Sequence, residues 1–273
     1  MIYECFMFLN EFDMLELKLQ EHYPFVDKFI ITESNKNFNQ EDKEYILETQ
    51  WNRYKKYHDK IIYQKFDATG YEPGWHTQNA QRDYLNIDIK FTNDDIIISD
   101  DIDEILLPDD WNWIINEDLK QYKEEISFAG TPYVGYANFR CDNYPHGQII
   151  VIPGHLFKKL SEHKGKFFYE NGNIVMRERN KIVKEGALHL TWFGDKKSFE
   201  EKFKGHIEAK KWSKENKTNL EDSWTKRKQG IMFNFKPKYK DKILKKIPVK
   251  ENKQFTKTMK EYILKQKEWI YNE

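Results

Sequence analysis

Apolar and polar positions fall into regular blocks along the first hundred residues. Residues 2–9 (IYECFMFL) are a short apolar run rich in β-branched and aromatic side chains, the pattern of a buried strand. Residues 11–23 set Phe12, Leu15, Leu17 and Leu19 among charges and read as a helix that stops before Pro24. Residues 27–32 (DKFIIT) form a second strand, ending in the polar Glu33-Ser34-Asn35. A charged stretch, 41–59, reads as helical, and residues 60–66 (KIIYQKF) as a third strand. Gly70, Pro73 and Gly74 make 68–74 a loop. Residues 77–87 read as a helix. Residues 95–99 (DIIIS) are the fourth and most apolar strand, and they run straight into Asp100-Asp101-Ile102-Asp103-Glu104.

Strands alternating with helices predict parallel βαβ units with helices packed on a sheet. Ligands of such sheets bind beyond the carboxyl ends of the strands. That edge would receive Asn10-Glu11, Glu33-Ser34-Asn35 and the acidic cluster. After Trp111 the pattern changes. Residues 126–140, 148–153 and 182–192 read as further strands with irregular joins, and beyond Asp195 the chain reads as helical and charged. Phe255, Met259, Tyr262, Ile263 and Ile270 form an apolar stripe on a final helix, expected to pack on the body of the protein. The expected fold class is α/β: a sandwich around a mixed, mostly parallel sheet, with a helical, Lys-rich C-terminal extension. No linker forces two domains. One domain over 1–273 is expected, with segments 1–110, 111–195 and 196–273.

Composition narrows the function classes. Phe 19, Tyr 16 and Trp 8 in 273 residues supply enough surface for a real core, so disorder is not expected. Cys5 and Cys141 are the only cysteines, which excludes a disulfide framework or a cysteine-rich zinc site. No apolar run approaches the roughly 20 residues of a membrane span, and the first residues lack the pattern of a secretion signal. A cytoplasmic protein is therefore expected. Lys+Arg 45 and Asp+Glu 45 give a formal charge of zero, which argues against a dedicated nucleic-acid binder. The zero conceals an asymmetry. Residues 1–195 carry 22 basic and 34 acidic side chains, a balance of −12, and residues 196–273 carry 23 and 11, a balance of +12. The acidic part could concentrate a divalent cation. The basic part reads as solvated helical faces, or as the place from which an anionic membrane surface would be met.

The chain has no Gly-rich phosphate loop, no His-Glu-x-x-His and no Gly-x-Ser-x-Gly. Its strongest chemical signal is four carboxylates within residues 100–104 at the end of an apolar strand. Crowded like charges disfavour one another's ionisation, and a divalent cation would remove that penalty. Oxygen ligands suit Mg²⁺, Mn²⁺ or Ca²⁺. The plainer alternative is a solvated acidic turn that caps the next helix. His189, in the strand-like ALHLTW, is either a core histidine or a ligand. His206 and Glu208 are two apart on a helix and do not share a face. Arg82 could reach a phosphate, or pair with a neighbouring carboxylate. Trp75, Tyr133, Tyr136 and Trp192 could stack on a sugar, although most aromatics in such a chain are core.

Three blocks together resemble glycosyltransferase family 17, the family of the β-1,4-mannosyl-glycoprotein β-1,4-N-acetylglucosaminyltransferase. They are NEFDML at 10–15 with VDKF at 26–29 and ESN at 33–35; DDIIISDDIDEI at 94–105; and GALHLTW at 186–192. The chain departs from the family pattern at Leu188, where Trp is usual, and at Leu106, where Pro is common. The Lys-rich segment after Trp212 has no counterpart. The resemblance implies the GT-A type of nucleotide-binding fold. It also implies transfer of a sugar, N-acetylglucosamine being the one in the family's name, from a UDP-sugar to a glycan hydroxyl with inversion. Asp103, with Asp101 directly or through water, would hold Mn²⁺ or Mg²⁺ against the diphosphate, and His189 would be a further ligand or diphosphate contact. Asn10, Glu11 and Glu33 would line the nucleotide pocket, while Arg82 and Asp100 face the diphosphate or ribose. Asp195, Glu208 and Glu104 are the candidates for general base. A metal-dependent nucleotidyltransferase or phosphoesterase, and a non-catalytic glycan-binding protein, are the alternatives from other classes.

Overall fold

The structure is a computed structural model that describes residues 1–142, 148–161, 182–205, 219–231 and 243–271. The chain divides into two compact units, one of residues 1–130 and 147–187, the other of residues 131–146 and 188–273.

The first unit is built on β1 (Ile2–Phe8), β2 (Lys28–Ser34), β3 (Ile61–Phe66), β4 (Ile96–Ser99) and β8 (Gln148–Pro153). Its sheet has the order β8-β4-β1-β2-β3. β1 runs parallel to both β2 and β4, and β2 parallel to β3. Only β8 is reversed, pairing Ile97 with Ile152 and Ile98 with Val151. The first residues of β6 (Ile126–Val134) add a further antiparallel neighbour to β8. The expected α/β class with a mixed, mostly parallel sheet is what forms. Parallel strands covered on both faces need continuous apolar runs, and Phe29, Ile30 and Ile31 on β2 are fully buried.

This strand order places a ligand site. From β1 the chain winds one way to β2 and β3, then the other way to β4. The crevice between the carboxyl ends of β1 and β4 is thus a topological switch point, the usual ligand position in such sheets. The helices α1 (Phe12–His22), α2 (Trp75–Tyr84) and α3 (Pro108–Asn116) follow β1, β3 and the acidic loop; β5 (Glu104–Ile105) lies just before α3.

The second unit holds the end of β6, β7 (Phe139–Arg140), β10 (Lys245–Lys246), and the helices α5 (Lys196–Gly205), α6 (Leu220–Lys228) and α7 (Lys257–Ile263). Helix α4 (Gly154–Ser161) and strand β9 (Ile182–Thr191) complete the elements, β9 passing from the first unit into the second at Leu188. A core of Val134, Tyr136, Phe139, Cys141, Phe199 and Leu244 organises the second unit, with Trp192 and Trp224 against it.

Three elements differ from the sequence reading. The charged stretch 41–59 contains a 3-10 run over Leu47–Tyr57 with a kink at Gln50. Its buried Tyr54 and Tyr57 are three residues apart, the repeat that eclipses on a 3-10 helix. The strand expected over 126–140 is two strands, broken where Gly135 takes a φ of 77°. The apolar stripe near the C-terminus spans a short helix, Lys257–Ile263, and a separate 3-10 turn, Lys267–Trp269. Its burial is as expected, since Met259 and Ile263 are fully buried.

Candidate functional site

The acidic loop is anchored from below by a residue with no obvious chemical role in the sequence. Helix α1 buries Met14, Lys18 and His22, which fall on one face at a spacing of four. Lys18 is 0% exposed. Its Nζ lies 2.5 Å from Asp100 Oδ2 and 3.1 Å from Glu4 Oε1. The same ammonium donates to the backbone carbonyls of Asp101 at 3.2 Å and Glu104 at 2.7 Å. One cation therefore grips both ends of the loop. His22 grips the next turn: its Nδ1 is 2.7 Å from Glu4 Oε1, and its Nε2 receives the Leu106 N–H at 3.1 Å. An ionised carboxylate can only accept, so Nδ1 carries a proton, while Nε2 also lies 3.2 Å from the Leu106 carbonyl.

The charge states follow from burial and neighbours. Burial works against the Lys18 ammonium, yet Asp100 and Glu4 hold its pKa well above the usual lysine value. Burial also opposes ionisation of Glu4, but His22 and Lys18 hold that carboxyl down at about 2. Burial pushes the Asp100 carboxyl well above its usual range, and the Glu4 charge adds to this against the pull of Lys18. Burial also lowers the pKa of His22, outweighing Glu4. The opposing pulls leave Glu4 ionised beside the Lys18 ammonium, disfavour the charged form of Asp100 and favour a neutral His22.

Above this anchor sit the residues singled out from the sequence. Asp101 takes Arg82 Nη2 on its Oδ1 at 2.5 Å, with the side chains 31% and 14% exposed. Arg82 thus reaches the loop through the Asp101 carboxylate, 19 positions away in the chain. Asp103 is buried at 6% exposure. Glu104 is 1% exposed, and its Oε2 accepts from the Asp101 N–H at 2.9 Å, closing the loop on itself. Asn10 and Glu11 stand at the end of β1. Glu11 Oε2 accepts from the N–H groups of Leu9 at 3.1 Å and Asn10 at 3.0 Å, tightening the entry to α1. Among the described residues no group of three or more His, Cys, Asp or Glu forms a metal cage.

Other candidates are placed elsewhere. Glu33 is fully buried. Its carboxylate accepts from the N–H groups of Ile46 and Leu47, from Tyr63 Oη and from Lys43 Nζ. It holds the 43–47 segment onto the end of β2. Asp100 faces inward to Lys18. His189 and Asp195 belong to the second unit. Asp195 accepts the Ser198 N–H at 2.8 Å and caps α5, a bond that lowers its pKa. Glu208 and His206 lie outside the described residues.

The third sequence block acquires a packing reason. A Cβ on Gly186 would lie 2.0 Å from Asp110 Oδ1. Asp110 caps α3 by accepting the Leu107 N–H at 2.8 Å, and burial raises its carboxyl to about 6. Gly186 is therefore required by the helix that follows the acidic loop. Sequence reasoning missed Lys18, His22 and Glu4. Their signal was present: a Lys and a His at the buried spacing of α1, and a Glu inside an apolar strand.

Residues 1–117 match the model described as Glycosyltransferase family 17. The matched segment runs from β1 through α3 and contains the whole acidic loop. The match covers less than half of the chain, and the expectation of a glycosyltransferase is in keeping with that similarity. No curated protein matches the chain. Among solved structures, an active-site mutant of LgtC is 11% identical, with a TM-score of 0.35, over 67% of this chain and 72% of that one. The glycosyltransferase GlyE of Streptococcus pneumoniae TIGR4 is 12% identical, with a TM-score of 0.32, over 67% of this chain and 44% of that one.

Proposed function

We propose that the first unit binds a UDP-sugar at the crevice between β1 and β4, and that the enzyme transfers the sugar, with N-acetylglucosamine the first candidate, to a glycan hydroxyl with inversion. The observation that carries this reading is the Asp101–Asp103 pair, set at the switch point of the sheet within the family-17 segment and anchored by a buried lysine.

The donor set fits Mn²⁺ or Mg²⁺. Such ions are commonly held by one or two carboxylates together with substrate phosphates, so a full protein cage is not needed. Asp103 and Asp101 would hold the ion, which when bound supplies Lewis-acid stabilisation of charge on the departing diphosphate. Arg82 would exchange Asp101 for a diphosphate oxygen, a partner its planar fork suits equally well. Asn10 and Glu11 border the same crevice and would meet the nucleoside. His189 stays a candidate diphosphate contact.

The acceptor hydroxyl needs a base. Glu104 accepts the Asp101 N–H and Asp195 the Ser198 N–H, so substitutions of Glu104, Asp195 and Glu208 in turn are what assign the role. Loss of the base should lower kcat on the order of 10²–10⁴-fold with UDP affinity unchanged. No helix among the described residues is long and apolar enough to cross a membrane. The basic segment 196–273 is the proposed contact with an anionic membrane face, and vesicle association that fails to weaken as salt rises would dismiss it.

The test is a thermal-shift panel of nucleotide sugars with and without Mn²⁺, followed by assay of UDP release. A stabilisation that requires both UDP-sugar and metal, and that vanishes in Asp103→Asn, is expected. No metal-dependent shift and no UDP release with any donor would refute the reading.

A further inference from the structure

We propose that Lys18 is the positioning residue of this site, presenting Asp101 and Asp103 to the metal–diphosphate through the backbone of their loop; this rests on the reading above. Lys18 touches neither carboxylate of that pair. It acts on the chain that carries them. Its Nζ donates to the carbonyl before Ile102 and to the carbonyl after Asp103, at Asp101 O and Glu104 O, 3.2 and 2.7 Å away. The Asp100 carboxyl, 2.5 Å away, ties the start of the loop to the same atom. An ammonium has three N–H donors, and here they are spread over a loop of five residues. Such convergence on one buried point leaves the loop few ways to shift.

The second support comes from the opposite side of the same cation. Lys18 Nζ lies 4.9 Å from the centroid of the Phe6 ring on β1, and Glu4 on the same strand pairs with it. β1 and α1 are the elements from which Asn10 and Glu11 emerge. The two banks of the crevice, residues 9–11 and 100–106, are thus registered to one another through Lys18, with His22 fixing Leu106 as a further point. A misplacement of about 1 Å in a reacting constellation can cost on the order of 10²-fold. A solvated surface turn has no use for a lysine buried beneath it, because burying a cation costs several kcal/mol unless its partners recover it.

The experiment compares the wild type with Glu4→Gln/Lys18→Met. This pair removes the Lys18 ammonium together with its Glu4 partner, leaves Asp100 in place and keeps an acceptor for the His22 Nδ1–H. Replacement of a buried ion pair by groups of similar volume is often near neutral for stability, so the variant is expected to fold. Leu47→Ala, which opens a cavity under the 3-10 run, serves as a control of lowered stability away from the loop. Two quantities are read: the Kd of UDP in the presence of Mn²⁺ by calorimetry, and amide exchange over residues 101–106 without ligand. The expected result is faster exchange over 101–106 and at least about a tenfold weaker Kd in the pair variant, with neither change in Leu47→Ala. Exchange and Kd both equal to wild type would overturn the proposal. So would a Leu47→Ala control that weakens Kd equally, since the effect would then be general instability. A wild type that binds no Mn²⁺–UDP overturns the reading of the site itself, and the exchange rates then report separately whether Lys18 anchors the loop.

Discussion

Among the described residues each unit buries one lysine or arginine, and the two are held by opposite means. In the first unit Lys18 is matched by carboxyls: Glu4 and Asp100 are within ion-pair distance and drive its pKa up. In the second unit Arg227 is 1% exposed and forms no carboxylate pair among the described residues. It donates to Gly135 O at 2.7 Å and Gly194 O at 2.7 Å. Its guanidinium lies 4.1 Å from the Tyr136 ring centroid and 4.5 Å from that of Trp224. Burial pulls its pKa down to about 10, against Tyr136, Glu268 and Asp195. A diffuse guanidinium can live on carbonyl dipoles and ring faces, whereas a compact ammonium needs localised negative charge. The choice of cation thus separates a structural tie between two glycine turns from an electrostatic anchor under the acidic loop.

The contrast predicts unequal costs. Lys18→Met alone leaves Glu4 ionised and buried, so it should destabilise the protein by about 3–5 kcal/mol, read from the denaturation midpoint. Arg227→Met leaves no stranded charge, only two carbonyls without donors, and should cost about 1–3 kcal/mol. If Arg227→Met proves the costlier, the distinction between the two cations is wrong. Gly186→Ala forces a methyl onto Asp110 and should cost about 1–3 kcal/mol, relieved when combined with Asp110→Ala. The last effect concerns pH. The Asp110 carboxyl sits at about 6 in the fold, against roughly 3.9 in an unfolded chain. The folded state therefore binds the extra proton, and stability should fall as pH rises from about 4 to about 6. Asp110→Asn should remove that share of the slope, seen by comparing Tm against pH for the two proteins.

The parts of the fold that were legible were those with one dominant signal. The runs at 2–9, 27–32, 60–66 and 95–99 are strands because continuous β-branched and aromatic residues suit a sheet covered on both faces. The position of the acidic loop follows from the end of the fourth run. The anchor was not legible, because a Lys in an amphipathic helix ordinarily reads as a solvated side chain, and only its place at the four-residue spacing of Met14 and His22 marks it as buried. Glu33 was assigned to a ligand pocket for its place at a strand end, yet its four donors come from the chain's own 43–63 segment, a tertiary relation no local pattern carries. The 3-10 run over Leu47–Tyr57 escaped because its charged composition fits an α-helix equally well.

Lys18 and Asp100 lie 82 positions apart in the chain. At a synthesis rate of about 5–20 residues per second, roughly 4–16 s pass between the lysine and the loop it holds. Until then the Lys18 ammonium has Glu4 as a partner, but neither the Asp100 carboxyl nor the carbonyls of Asp101 and Glu104. Helix α1 therefore gains its full set of partners only once the acidic loop has been made.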